Sequence, residues 1–164
     1  MQEQNPAEGP QSSQNPNYAE RQMSELRALN QLIEKIREFE YIRFDCDATS
    51  ELLEDGFITP EEAEFISEYV KEGEELSGSA LAIGWLESSL EVEAIGSATL
   101  GERIEELVAV RVLVTYGGPT IRVEFNESNW VTVISSEDKN VEAYLTHLAA
   151  EVWSFAQELH GVSN

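Results

Sequence analysis

The residues with the strongest claim to chemistry are Asp55-Gly56-Phe57-Ile58-Thr59-Pro60-Glu61-Glu62. An acidic residue, a turn glycine, an isoleucine and a closing glutamate, in that order, match the second half of a calcium-binding EF-hand loop. The first half departs from the pattern. In this register Glu51 takes position one and Leu53 takes position three, where an oxygen ligand is needed. A calcium module would therefore rest on Glu51, Asp55 and Glu62, with no paired second hand. A turn followed by a boxed helix start accounts for the same residues completely, so no metal or cofactor is expected.

Other chemistries find less support. Zinc needs several Cys and His ligands at suitable spacing, and the chain has one cysteine and two histidines, His147 and His160. Cys46 lies between Asp45 and Asp47, where like charge disfavours a thiolate nucleophile. No Gly-x-Ser-x-Gly elbow is present. Gly117-Gly118 leads into a strand pattern, not the helix a phosphate loop requires. Carboxylates are so numerous that no single pair stands out as a general acid and base. No catalytic residue is assigned, and an enzyme is not expected.

The carboxylates are informative as a set. The chain has 164 residues, 32 of them acidic and 10 basic, for a formal charge of −22. Residues 41–78 alone hold 12 acidic and 2 basic residues, so nearly half the excess lies in under a quarter of the chain. Such a field repels nucleic acid and anionic membrane and favours a basic partner. The candidate partner-binding residues are Asp45, Asp47, Glu51, Glu54, Asp55, Glu61, Glu64, Glu68, Glu72, Glu74 and Glu75. Glu61, Glu64, Glu68 and Glu72 fall three or four apart and share one stripe of a helix predicted over Pro60–Glu72. Glu64, Glu68 and Glu72 would step by ~6 Å, close to the ~6.8 Å of two axial phosphate steps on one DNA strand. Like charges at this spacing cost a helix a few tenths of a kcal/mol per pair. Solvation, a salt-rich cytoplasm or a basic protein groove would each reward keeping them; the clustering and the dominance of Glu favour the groove.

The elements that must position these residues follow from periodicity. Residues 1–17, rich in Gln, Asn, Pro, Ser and Gly, read as a disordered tail. Tyr18–Glu40 reads as an amphipathic helix with Met23, Leu26, Leu29, Ile33 and Ile36 on one stripe. A short helix over Ala48–Glu54 stops at Asp55-Gly56, and Thr59, Pro60 and Glu62 open the next with a capping box. Ser79–Glu87 reads as a further helix and Leu90–Ile95 as a strand, while Gly96–Glu106 is open between loop and short helix. Val108–Ile134 reads as a hairpin and a third strand. Turning on Gly117-Gly118, it sets Val114 opposite Ile121, Val112 opposite Val123 and Val110 opposite Phe125, with Arg111 facing Glu124. Pro119 has no N–H to close a tight turn, so a longer loop closed by Thr115 and Thr120 is the alternative. The chain closes with a helix over Lys139–Leu159, with Asp138 as its cap.

The strand Leu90–Glu93, the run Val112-Leu113-Val114-Thr115-Tyr116-Gly117-Gly118-Pro119 and Ile121-Arg122-Val123 carry a resemblance. Their order resembles a family of small acidic proteins of phages and other mobile elements, in which a Glu-rich helical half precedes a strand-rich half with a Thr-Gly-Gly-Pro-like turn. This chain departs by placing Tyr116 inside that turn and by ending in a long helix. The resemblance implies a mobile-element origin and an anti-defence role such as an anti-CRISPR or antirestriction inhibitor. It implies no catalytic residues.

The expectation is an α+β fold with an antiparallel sheet of about four strands, covered by a C-terminal amphipathic helix. A helical acidic region over residues 18–78 packs with the remainder, 79–164, as one domain. The expected function is an inhibitor that presents an acidic, DNA-mimicking surface to a basic protein or nucleoprotein complex of a host defence system. The alternatives are a structural or regulatory interaction module, homodimeric through Tyr18–Phe39, and the calcium module above. One cysteine, no long apolar run and no apolar leader point to the host cytoplasm.

Overall fold

The computed structural model describes residues 17–38, 46–97, 100 and 106–160. The tail at residues 1–16, Glu40 and Asp45 lie outside the described residues. Ten elements follow in order: α1 (Tyr18–Ile36), α2 (Cys46–Glu54), α3 (Pro60–Tyr69), α4 (Gly78–Glu87), β1 (Glu91–Ser97), β2 (Glu106–Thr115), β3 (Ile121–Asn126), β4 (Trp130–Ser135), β5 (Val141–Tyr144) and α5 (Thr146–His160). The strands form one antiparallel sheet in the order β1-β2-β3-β4-β5. The architecture is α+β, with five strands where about four were expected.

The central pairing follows the sequence pattern. Val110 faces Phe125, Val112 faces Val123 and Arg111 faces Glu124. Val110, Val112, Val123, Phe125, Val131 and Val133 have no exposed surface and make up the inner face of the sheet. Trp85 of α4 meets Phe125 edge-on, with ring centroids 5.9 Å apart. On the outer face Arg111 Nε donates to Glu124 Oε2 at 3.0 Å, which favours the register from the solvent side.

Two irregularities correct the expected hairpin. Ile121 pairs with Thr115 instead of Val114, because the register shifts after Leu113. Pro119 supplies no N–H, so the loop closes through side chains: Thr115 Oγ1 donates to the Pro119 carbonyl at 2.8 Å. Gly117 and Gly118 carry the positive φ values, 99° and 141°, that the reversal needs. At the other end of β2 the pairing passes from Ala109 to Leu107. Val108 is the extra residue of that bulge and is exposed instead of lining the core.

Helix α1 is the hub. Met23, Leu26, Leu29, Leu32 and Ile33 are completely buried, each worth about 1.5–3 kcal/mol of burial. They meet α3, α4, α5, β4 and β5. The stripe that a dimer joined through Tyr18–Phe39 would need is buried inside the chain. The helix ends at Ile36, before the expected Glu40.

The C-terminal segment departs most from expectation. Val141–Tyr144 is an edge strand, paired with β4 through Trp130 opposite Tyr144 and Val133 opposite Val141. The aromatic pair lies 4.5 Å apart, and Trp130 Nε1 donates to Glu142 at 3.0 Å. Val141, Tyr144, Leu145 and Leu148 also fit a helical stripe, so periodicity alone misassigns residues 139–145 at the start of the expected helix. The helix then opens at Thr146 after Leu145, which has no side-chain acceptor to cap it. Asn30 of α1 takes that role: its Oδ1 accepts from the N–H groups of His147 and Leu148 at 2.9 and 2.8 Å. Asp138, expected to cap this helix, caps α1 instead, accepting from Ala19 N–H at 2.8 Å. Asn17 completes that end by accepting from Glu20 N–H. Helix α1 thus caps α5, while the loop between β4 and β5 caps α1.

A cap truncation costs about 1 kcal/mol, up to about 2. Asn30→Ala is expected to lower unfolding free energy by that amount, and Asn30→Asp by less, in urea titrations followed by circular dichroism. Gly84→Ala is expected to cost more, about 2–3 kcal/mol by overpacking, because an added Cβ would collide with the Tyr69 backbone carbonyl at the end of α3.

Candidate acidic interaction surface

Helix α3 is built by its start signals. Thr59 Oγ1 accepts from Glu62 N–H at 3.1 Å, and Glu62 Oε1 accepts from Thr59 N–H at 2.9 Å, with Pro60 at the first helical position. Glu62 Oε1 also accepts from Lys35 Nζ of α1 at 2.7 Å. Glu62 is only 5% exposed. Its carboxylate joins α3 to α1, so the residue that would close a calcium loop faces inward to a lysine. Among the described residues no group of three His, Cys, Asp or Glu is arranged to hold a metal ion.

Ala63, Phe65, Ile66 and Tyr69 turn to the core, and the rings of Phe65 and Tyr69 stack 6.1 Å apart. Glu61, Glu64 and Glu68 are left exposed on the opposite side. The helix was expected to reach Glu72 and stops at Tyr69. Val70 is extended, with φ −110° and ψ 127°, and is buried together with Leu76. Gly73 follows with φ +92°. Glu72 is exposed but stands on a turn outside the helical stripe, and Glu74 accepts from the Lys71 N–H at 3.1 Å.

Glu51, Glu54 and Asp55 are exposed at the end of α2, where Gly56 turns the chain with φ +73°. Glu75 is exposed as well. Nine of the eleven candidate carboxylates are therefore at the surface; Asp45 and the side chain of Asp47 lie outside the described residues. None of the nine is ion-paired with a described cation.

Two grooves flank α3. One, about 520 Å³, lies between α2 and α3 and is lined by Thr49, Ser50, Leu53, Ala63, Glu64, Ser67 and Glu68. The other, about 600 Å³, lies toward α4 and brings Glu68, Glu72, Glu87 and Lys71 together. Ser67 and Glu68 belong to both and form the ridge between them.

Sequence reasoning missed Glu87 and Glu25. Glu25 is on α1, and the Tyr69 hydroxyl donates to its Oε1 at 3.3 Å. Burial pushes the Glu25 carboxyl above the ordinary carboxylate range; the Tyr69 hydrogen bond opposes the shift, and the charges of Glu68 and Glu61 add to it. Burial, followed by the charge of Glu25, pushes the Tyr69 phenol upward too. No local motif marks Glu25, since its neighbours come from a helix more than thirty positions away along the chain.

The fold and this surface define a class: an α+β protein with a concentrated acidic face. No family model, no curated protein and no solved structure matches the chain. No helix among the described residues is long and apolar enough to cross a membrane.

The raised Glu25 pKa has a sign for stability. The folded chain retains a proton that the unfolded chain releases, so this group's contribution is fully favourable below the ordinary carboxylate range and is lost as pH rises through the raised value. Glu25→Gln keeps an acceptor for Tyr69. It is expected to raise the thermal midpoint at neutral pH and leave it unchanged in acid, as measured by calorimetry across pH.

Proposed function

We propose that this chain inhibits a host defence system of the restriction or CRISPR kind, acting in the cytoplasm by occupying the nucleic-acid site of a basic protein or nucleoprotein complex. One observation carries the reading. Between Glu51 and Glu75, nine exposed carboxylates gather with Lys71 as the single basic residue in the span. From Glu61 to Glu68 the helix rises ~10 Å, about three axial phosphate steps on one DNA strand. Carboxylates at such spacing can take up lysines and arginines that would otherwise hold phosphates, and exclude DNA by competition. The surface needs no catalysis for this, and the chain contributes only its shape and charge.

Electrostatics sets the expected behaviour. Association gains in rate from the field and weakens as salt rises, since the screening length falls to about 8 Å at physiological ionic strength. The mobile-element resemblance of the Gly117-Gly118-Pro119 hairpin agrees with an anti-defence role.

The test is a four-site reversal of Glu61, Glu64, Glu68 and Glu72 to Lys, leaving Glu62 in place. Against a panel of restriction and CRISPR nucleases, the wild-type chain is expected to compete with DNA for at least one, more weakly at high salt. The reversed chain is expected to lose that competition with an unchanged circular dichroism spectrum. Retained inhibition by a folded, reversed chain would sink the reading.

A further inference from the structure

We propose that the groove between α2 and α3 is an anchor for one arginine side chain of the protein partner; the inference rests on reading this surface as the seat of a basic partner. Its floor is apolar and its rim is acidic. Leu53 is 37% exposed, whereas the adjacent Leu52 is buried. The open leucine lies in the groove with Ala63, and Glu64 and Glu68 stand on its α3 side. Thr49, Ser50 and Ser67 add hydroxyls around them.

This combination selects its occupant. A plain counter-ion gains nothing from Leu53 and Ala63, and a phosphate or nucleic acid is repelled by both glutamates. An apolar peptide would strand the carboxylates beneath it without partners. A long cationic side chain satisfies both halves, its aliphatic stem on the floor and its charged head at the rim. Arginine suits the site better than lysine. Its guanidinium is planar and weakly hydrated, and it presents five N–H donors to several acceptors at once. Glu64 and Glu68 lie one turn apart on α3 and supply carboxylate oxygens, while the hydroxyls of Ser50 and Ser67 supply further acceptors. A volume of about 520 Å³ also leaves room for backbone on either side of the anchoring residue. The diffuse acidic surface would then draw the partner in, and this groove would fix its register.

Amide NMR titration of the full chain tests this with butylguanidinium, the arginine side-chain analogue, beside guanidinium and butylammonium. Butylguanidinium is expected to shift the Leu53, Ala63 and Ser67 amides saturably, with affinity about tenfold above guanidinium from partial burial of its methylenes. Leu53→Ser is expected to erase that advantage without changing the response to guanidinium, and Glu64→Gln with Glu68→Gln to weaken both. Equal affinity for guanidinium and butylguanidinium, or shifts spread evenly over the acidic residues, overturns the anchor; butylammonium binding as tightly overturns the choice of arginine. Should the anchor fail while the four-site reversal still abolishes inhibition, the acidic surface stands as a diffuse mimic. Should the reversal fail too, that reading falls with it.

Discussion

Helix α1 has to take an unbroken apolar stripe out of water, and the rest of the molecule is arranged to let it. Met23, Leu26, Leu29, Leu32 and Ile33 have no exposed surface, which no single neighbouring element could achieve. The sheet supplies one wall through β4 and β5, α5 a second, and α3 with α4 the remainder. Close approach is set by small residues at the crossings. A Cβ on Gly78 would come within 2.7 Å of an Ile33 methyl, so α4 can start against α1 only because that position is bare. Interiors packed to this density leave little freedom for sliding, so the acidic helix α3 is held at one height on the core.

That rigidity matters for the charge. Isolated, a ten-residue helix carrying this many glutamates would be marginal. Its first turn favours Glu61 and Glu62 through the helix dipole, but Glu68 near the C-terminal end meets the opposite polarity. Tertiary burial of Ala63, Phe65, Ile66 and Tyr69 outweighs those terms. Glu62 shows how the chain divides one residue type between two duties. Taken inward to Lys35, it fastens the helix; Glu61, Glu64 and Glu68, facing the other way, keep their charge in water. Burial is the main cause of the raised Glu25 pKa, and the outward charges of Glu68 and Glu61 add to it from another element.

What was legible in the sequence was what depends on near neighbours. Thr59, Pro60 and Glu62 lie within four positions and announced their helix correctly. The β2–β3 register was readable because alternation, turn glycines and the Arg111–Glu124 pair all agreed. The bulges at Val108 and Val114 were invisible, since an extra residue leaves the apolar composition of a strand intact. Val141–Tyr144 fits either period, and only pairing with Trp130 decides it. Asn30 as a cap for a helix 117 residues later, and Glu25 as a member of the acidic face, are facts of three-dimensional packing. The eleven carboxylates were readable as a cluster, whereas the groove beside them depends on how α2 lies along α3.

The capping of α1 by Asp138, from the loop between β4 and β5, and of α5 by Asn30 has a consequence for the order in which the chain can be made. Among the described elements α1 is synthesised first and α5 last. Until Asp138 and the residues beyond it have left the ribosome, the N-terminus of α1 lacks one of its two side-chain acceptors, and its stripe lacks two of its walls. The Glu-rich segment is translated in between, so the nascent chain carries its strongest self-repulsion before it has its core. The walls that bury the α1 stripe are therefore completed only after the acidic segment has been made.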